Sequence, residues 1–323
     1  MKRLCALLAL LAPALVACGS AVDVIVRNGA GGELSAADID RDPLALLPGN
    51  AVGIASLDAT QLVASPFGSK LTALLASRLP LPASAGFEQT RDLSHVYLGV
   101  YSMQGADMVG VVSGNFDSAK IETAANGVDR TPLGTPVSKR SYAGYTLYTS
   151  ANLGFCVLSP HTLLFGDQTG IRRALERVQE RRLRRQTAPW MDKLLLEQKA
   201  PFAAGLDLRA QPIPDAARSN LRFLQGLETM ALIGNFQDPG VNLAGTLVYG
   251  DETAAKQGAD NVRNLSQTLS AYAPFLALLG IPQPVRKLSA EAKDKEASFV
   301  VGIDGAAVGV LLDKARDFLG AQP

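Results

Sequence analysis

Histidine, cysteine and aromatic residues are scarce in this chain: its 323 residues include 2 histidines, 3 cysteines and 1 tryptophan, and aromatics make up 6%. So few histidines and thiols, with no HExxH and no CxxC among them, leave no ligand set for a protein-built zinc site. The dipeptide Gly-Lys never occurs, which excludes a P-loop, and neither a G-x-S-x-G elbow nor an S-x-x-K pair is present. Nucleophilic hydrolysis and nucleotide chemistry therefore lack their usual signatures, and no cofactor is implied. The apolar run from Leu4 to Ala17 falls short of the roughly 20 residues that a spanning helix needs, and Pro13 interrupts it. An excess of either charge is missing as well. With 31 Lys and Arg against 30 Asp and Glu, whole-chain electrostatics predicts no polyanion partner, nucleic acid included.

What is present begins at the N-terminus. Lys2 and Arg3 precede LCALLALLAPALVA, which gives the charged region and short apolar region of an export signal. The run ends in Leu15-Val16-Ala17-Cys18-Gly19, which resembles the lipobox of bacterial lipoproteins. The resemblance implies a signal peptide over residues 1–17, cleavage before Cys18, and lipidation of Cys18, through which the protein meets a membrane. At about 0.8 kcal/mol per buried methylene, two or three acyl chains make a stable anchor. In enterobacterial lipoproteins an aspartate after the cysteine marks retention in the inner membrane, so Gly19 implies the outer membrane. Loss of Lys2 and Arg3 turns the net charge of +1 into −1. Cys5 leaves too. Cys156, inside the strand-like LGFCVL, is then the one thiol left unmodified and reads as a buried structural residue.

Residues 18–42 hold the lipidated cysteine and the stretch Asn28-Gly29-Ala30-Gly31-Gly32, and read as a flexible tether. That stretch is no dinucleotide fingerprint, because Leu34 stands where the third glycine belongs. From Leu47-Pro48-Gly49-Asn50 short apolar strands alternate with amphipathic helices, and LPGNAVGIASLD also resembles the starts of exported bacterial proteins of unassigned function. A strand is expected over 51–57, a helix over 59–79, strands over 95–102 and 107–116, and a short helix capped by Asp117. The second half repeats the order. PFAAGLD parallels VGIASLD, MALIGNF and VNLAGTLVYG parallel YLGVYS and MVGVVSGNF, and FVVGIDGAAVGVLL parallels TLLFGDQTGIRRAL. The expected class is α+β: two similar units, residues 43–187 and 188–323, each an antiparallel sheet with helices packed on one face.

Candidate sites are few. His95 opens a strand and His161 follows Pro160 in a turn, so local hydrogen bonding accounts for both. Asp58, Asp167, Asp207 and Asp304 end strands, where a helix cap is the ordinary use of a carboxylate. The densest charge is Arg172, Arg173, Arg177, Arg181, Arg182, Arg184 and Arg185, opposed by Glu176 and Glu180. On a helix Ile171, Ala174, Leu175 and Val178 share one face, which leaves Arg177, Arg181, Arg182, Arg184 and Arg185 as candidates for contact with anionic lipid or an acidic envelope partner. The apolar AYAPFLALLGIP at 271–282 could line a groove. Together these features predict a lipid-anchored envelope protein with a non-enzymatic binding or scaffolding role. The alternatives are a carrier or sensor for an apolar ligand such as lipid, and an enzyme without a recognisable motif.

Overall fold

The structure is a computed structural model that describes residues 34–76, 85–102, 107–131, 134–211, 221–278 and 280–320. The expected signal peptide and Cys18 lie outside the described residues.

The chain enters through α1 (Ala36–Asp40), whose N-cap Ser35 forms a capping box with Asp38, and a 3-10 turn over Pro43–Leu46. It continues as β1 (Gly53–Asp58), α2 (Ala59–Ala64), α3 (Gly68–Ala76), α4 (Gln89–Asp92), β2 (Leu93–Ser102) and β3 (Asp107–Gly114). Next come α5 (Ser118–Asn126), β4 (Ser138–Tyr142), β5 (Tyr145–Ser150), β6 (Leu153–Val157), β7 (Thr162–Asp167), α6 (Gln168–Gln179) and α7 (Pro189–Glu197). The second half holds β8 (Phe202–Asp207), β9 (Leu227–Asn235), β10 (Gly240–Tyr249), α8 (Glu252–Ala271), α9 (Ala273–Leu278), β11 (Val285–Lys293), β12 (Glu296–Asp304) and α10 (Gly305–Gly320).

The helix expected over 59–79 is broken. Pro66 has no N–H to give and disfavours a helical Ser65, which adopts φ −72° and ψ 157° and closes α2. The aspartates do cap: Asp58, Asp117, Asp167, Asp251 and Asp304 each accept a backbone N–H from the first turn of the helix that follows. Asp207 does not. Its carboxylate takes the backbone N–H and the guanidinium of Arg209 instead.

The fold is α+β. The described strands form one antiparallel sheet of twelve, in the order β11-β12-β10-β9-β8-β1-β2-β3-β7-β6-β5-β4. Outward from the middle, β8-β9-β10-β12-β11 repeats β1-β2-β3-β7-β6, and the first half adds β5 and β4. The two halves meet where β1 pairs with β8, Gly53 opposite Leu206 through Leu57 opposite Phe202. The seam lies mid-sheet, so the units share one hydrogen-bonded ladder.

Helices of the first unit occupy both faces of its sheet, not one. Val109, Val111 and Leu164 pack with Ile171, Ala174 and Leu175 of α6, whereas Val112 and Leu163 pack with Ile121 and Ala125 of α5. Successive strand residues point to opposite faces, so β3 and β7, buried on both sides, read as continuous apolar runs. In the second unit α8 supplies Ala255, Ala259 and Val262 to a separate cluster with Leu247, Tyr249 and Ala297.

The tether expected over 18–42 ends early. From Leu34 onward the chain is a strap packed on the sheet: Ile39, Leu44, Leu46 and Leu47 are 0–1% exposed and belong to the largest apolar cluster. Asp40 accepts from Thr162 Oγ1 at 2.7 Å and from Ser159 Oγ. The apolar PLALL after the glycine-rich stretch is what folds it down.

Candidate functional site

The arginine cluster divides into a structural part and an exposed part. The Arg177 guanidinium is buried, with Nε and Nη2 donating to the Ala45 carbonyl at 3.2 and 2.9 Å and further bonds to the Arg184 carbonyl and Gln186 Oε1. Desolvation pulls its pKa below the ordinary arginine value. A side chain so enclosed cannot meet a membrane or a partner, so Arg177 leaves the set of surface contacts and joins the core. Arg185 forms a bidentate pair with Asp42, Nε to Oδ2 at 2.7 Å and Nη2 to Oδ1 at 3.1 Å. Arg173 pairs with Asp107 and lies over the Tyr101 ring at 5.3 Å, and Arg172 lies over Tyr142 at 5.4 Å. Arg181 is half-buried with φ 59°, while Arg182 and Arg184 are exposed, Arg182 3.6 Å from Glu180.

Burial of Arg177 had a sequence signal. It lies three residues after Ala174, beside Val178, and so falls on the edge of the apolar stripe of α6. Its acceptor, the Ala45 carbonyl, is more than a hundred residues away in sequence and could not be foreseen.

Strand register places one catalytic-looking row on the sheet. Asp58 on β1 faces His95 on β2, and His95 faces Ser113 on β3. Directly opposed strand residues share a face, so carboxylate, imidazole and hydroxyl stand side by side. Hydrogen bonds do not join them. Asp58 is occupied as a helix cap, accepting from Thr60 Oγ1 at 2.6 Å, Gln61 Nε2 at 2.8 Å and the Gln61 N–H at 3.1 Å. Burial would raise its pKa, yet these bonds outweigh that and lower it. Ser113 Oγ is buried without a partner, and the His95 ring lies 4.7 Å from that of Tyr97. Desolvation pulls the His95 pKa down, against the pull of Asp58. A nucleophile needs its base within about 3.2 Å, and this row has no such link.

A cleft of about 290 Å³ opens between α4 and α5, bounded by Phe87, Arg91, Asp92, Asn115 and Phe116. Its charges are spent on one another. Arg91 Nε binds Asp92 at 2.6 Å, and the Asp92 carboxylate also accepts the Glu88 N–H at 2.8 Å, which together hold its pKa low. Among the described residues no three His, Cys, Asp or Glu side chains converge as a metal site. The Cys156 thiol is buried and its pKa pushed up to about 12, by burial first. His161 Nδ1 lies 2.9 Å from the Gly114 carbonyl. The 271–282 segment does not line the cleft: α9 packs on α8, and Tyr272 between them is 59% exposed. No helix among the described residues is long and apolar enough to cross a membrane.

No protein-family model and no curated protein matches this sequence. Solved structures of TP0453 do resemble the fold. Crystal form III matches with a TM-score of 0.52 at 14% identity, over 85% of this chain and 98% of that one. Crystal form IV matches with a TM-score of 0.50 at 12% identity, over 84% and 96%. Identities this low establish a shared α+β fold along nearly the whole of TP0453 and nothing of chemistry.

Proposed function

We propose that the protein is a lipid-anchored protein of the cell envelope whose folded body binds or scaffolds rather than catalyses. The observation that carries this reading is Leu15-Val16-Ala17-Cys18-Gly19 after a short apolar run, followed within a few turns of chain by a strap built into the core. Even fully extended, residues 18–34 reach no more than about 56 Å at roughly 3.3 Å per residue, so the body stays close to the bilayer. Gly19 in place of aspartate favours the outer membrane. Filled apolar clusters on both faces of the sheet, and a cleft whose charges are mutually paired, support a scaffold over a lipid carrier. Arg184 flanks the strap, since its carbonyl and the Ala45 carbonyl share the Arg177 guanidinium, and Arg182 stands two residues before it. They are the cations best placed to meet anionic head groups beside the anchor.

Mass spectrometry of the native protein and fractionation of Cys18→Ser test the reading. The native chain is expected to begin at an acylated Cys18, and the variant to accumulate as precursor or leave the membrane. An unmodified N-terminus elsewhere would refute the anchor. Stoichiometric lipid retained by the body under native conditions would favour the carrier instead.

A further inference from the structure

We propose that β11 is a self-association edge, through which two copies of this chain join antiparallel about Ser289. Among the described strands β11 ends the sheet, with β12 as its one neighbour. Of the N–H and C=O groups that face outward, the Ala290 carbonyl already accepts from Arg263 Nη1 of α8 at 2.5 Å and keeps one lone pair, and the others are a template for another strand.

The hairpin fixes which groups those are. Lys293 opposes Glu296 across the two-residue turn Asp294-Lys295, where Asp294 has φ 52°. The pair flanking such a turn exchanges both backbone hydrogen bonds, and bonded pairs then alternate along the ladder. Lys287, Ser289, Glu291 and Lys293 therefore turn their backbone groups toward β12, while Leu288, Ala290 and Ala292 turn theirs outward. The side chains divide in the same rhythm. Lys287, Ser289, Glu291 and Lys293 are exposed on one face, and Leu288, Ala290 and Ala292 meet the α8 cluster on the other.

A two-fold axis through Ser289 matches the positions from Lys287 to Glu291, and sets Ala292 opposite Arg286 and Lys293 opposite Val285 of the second copy. Leu288 then opposes Ala290 of the second copy, which brings outward backbone groups onto outward backbone groups. Ser289 opposes its own copy as a non-bonded pair. Lys287 opposes Glu291 of the second copy on the exposed face, and Glu291 opposes Lys287. Opposite charges directly across a strand pair stabilise it, and like charges repel. The other edge lacks this symmetry: β4 reads Ser-Lys-Arg-Ser-Tyr, with no acid on the strand itself, and Lys139 is paired with Asp129 at 3.5 Å. Charged side chains, Lys above all, blunt an edge against pairing when nothing across the strand answers them, and β4 carries Lys139 and Arg140 with no acid on the strand. β11 carries both signs, placed two residues either side of Ser289.

Cysteine cross-linking of the full chain, in the membrane and soluble fractions alike, tests the pairing, so the outcome does not depend on the anchor. Non-bonded antiparallel pairs bring Cα atoms to about 4.5 Å, within disulfide range. Ser289→Cys is expected to give a covalent dimer on mild oxidation. Lys293→Cys should not, since the axis sets its two copies roughly 26 Å apart at about 3.3 Å per residue. The unsubstituted protein controls for native thiols, of which Cys156 is 0% exposed. On the Ser289→Cys background, Lys287→Glu should lower the dimer yield on the order of tenfold, and adding Glu291→Lys should restore it. Equal cross-linking at 289 and 293, or failure of the double exchange to restore the yield, overturns the proposal.

Discussion

Replacing Arg177 with alanine removes a planar donor that ties α6 to two other segments: the strap, through the Ala45 carbonyl, and the loop after α6, through the Arg184 carbonyl and the Gln186 side-chain amide. A hydrogen bond involving a charged group contributes about 1.5–3 kcal/mol net, and a buried carbonyl left unpaired costs about 1–3 kcal/mol. The bonds share one side chain and do not add. Relief of the buried cation, whose pKa burial already lowers, offsets part of the loss. A net destabilisation of about 3 kcal/mol is expected. Arg177→Lys keeps charge and reach but not the fork, so it should fall between, at about 1–2 kcal/mol. Arg182→Ala, at an exposed position, should stay within about 0.5 kcal/mol. Urea unfolding of the full chain measures the difference. Hydrogen exchange at residues 44–47 should accelerate most, because those amides lie in the strap that Arg177 holds. A loss under about 1 kcal/mol for Arg177→Ala, or unchanged exchange in the strap, would refute the reasoning.

Two more outcomes follow from the fold. Asp304 accepts the Ala307 N–H at 2.9 Å and the Arg286 guanidinium at 2.6 and 2.8 Å, and these bonds hold its pKa below the ordinary value of 3.8. Unfolding therefore takes up protons near that value: this stabilisation is complete above it and is lost as pH falls through the lower folded value. Desolvated His95 adds a loss of the same sign from about pH 6.5 downward. Urea midpoints between pH 3 and 7 should show an acid limb that Asp304→Asn flattens, and an identical limb in the variant rules the linkage out. Residues 43–187 and 188–323 expressed apart should aggregate and recover only together. Each half bares one strand of the β1–β8 seam, and the first also loses Ile39, Met191, Leu195 and Ala203 from its main cluster. A monomeric, protected half in solution would contradict this.

The repeat of strand order was legible because its markers are local: an apolar strand, a terminal aspartate, and a helix whose first N–H groups that aspartate must satisfy. Asp207 misled for the same reason, since a strand-end aspartate looks alike whether its next partner is a helix or Arg209. Both-face burial of the first sheet was present in the unbroken apolar runs MVGVV and TLLF, but such runs fit a buried antiparallel strand and a one-sided one with apolar neighbours equally well. The strap escaped because composition changes gradually between Gly32 and Leu44, and its anchors, Thr162, Arg177 and Arg185, are distant in sequence. The arginine cluster was read as surface because charge density suggests solvent. Arg177, at the edge of the apolar stripe of α6, did carry a signal of burial, while the acceptors that hold it are brought there only by the tertiary fold.

The seam also decides what β11 pairing would build. Ser56, Ala203 and Gly205 keep the middle of the sheet shallow, and Trp190 of α7 lies on Gly205, where a Cβ would sit 2.7 Å from its ring. The linker between the units thus crosses the sheet instead of rounding its end, and both outer edges stay uncovered by it. Those edges, β4 and β11, stand eleven strand spacings apart, roughly 50 Å at about 4.8 Å each. An open sheet with two permissive edges would propagate into a filament. With no acid on β4 to meet Arg140 of a second β4, and Lys139 held by Asp129, a two-fold contact through β11 consumes the edge that offers complementary charge. Assembly then closes at two copies, and Lys139→Glu, which would give β4 both signs, is the change expected to carry it further.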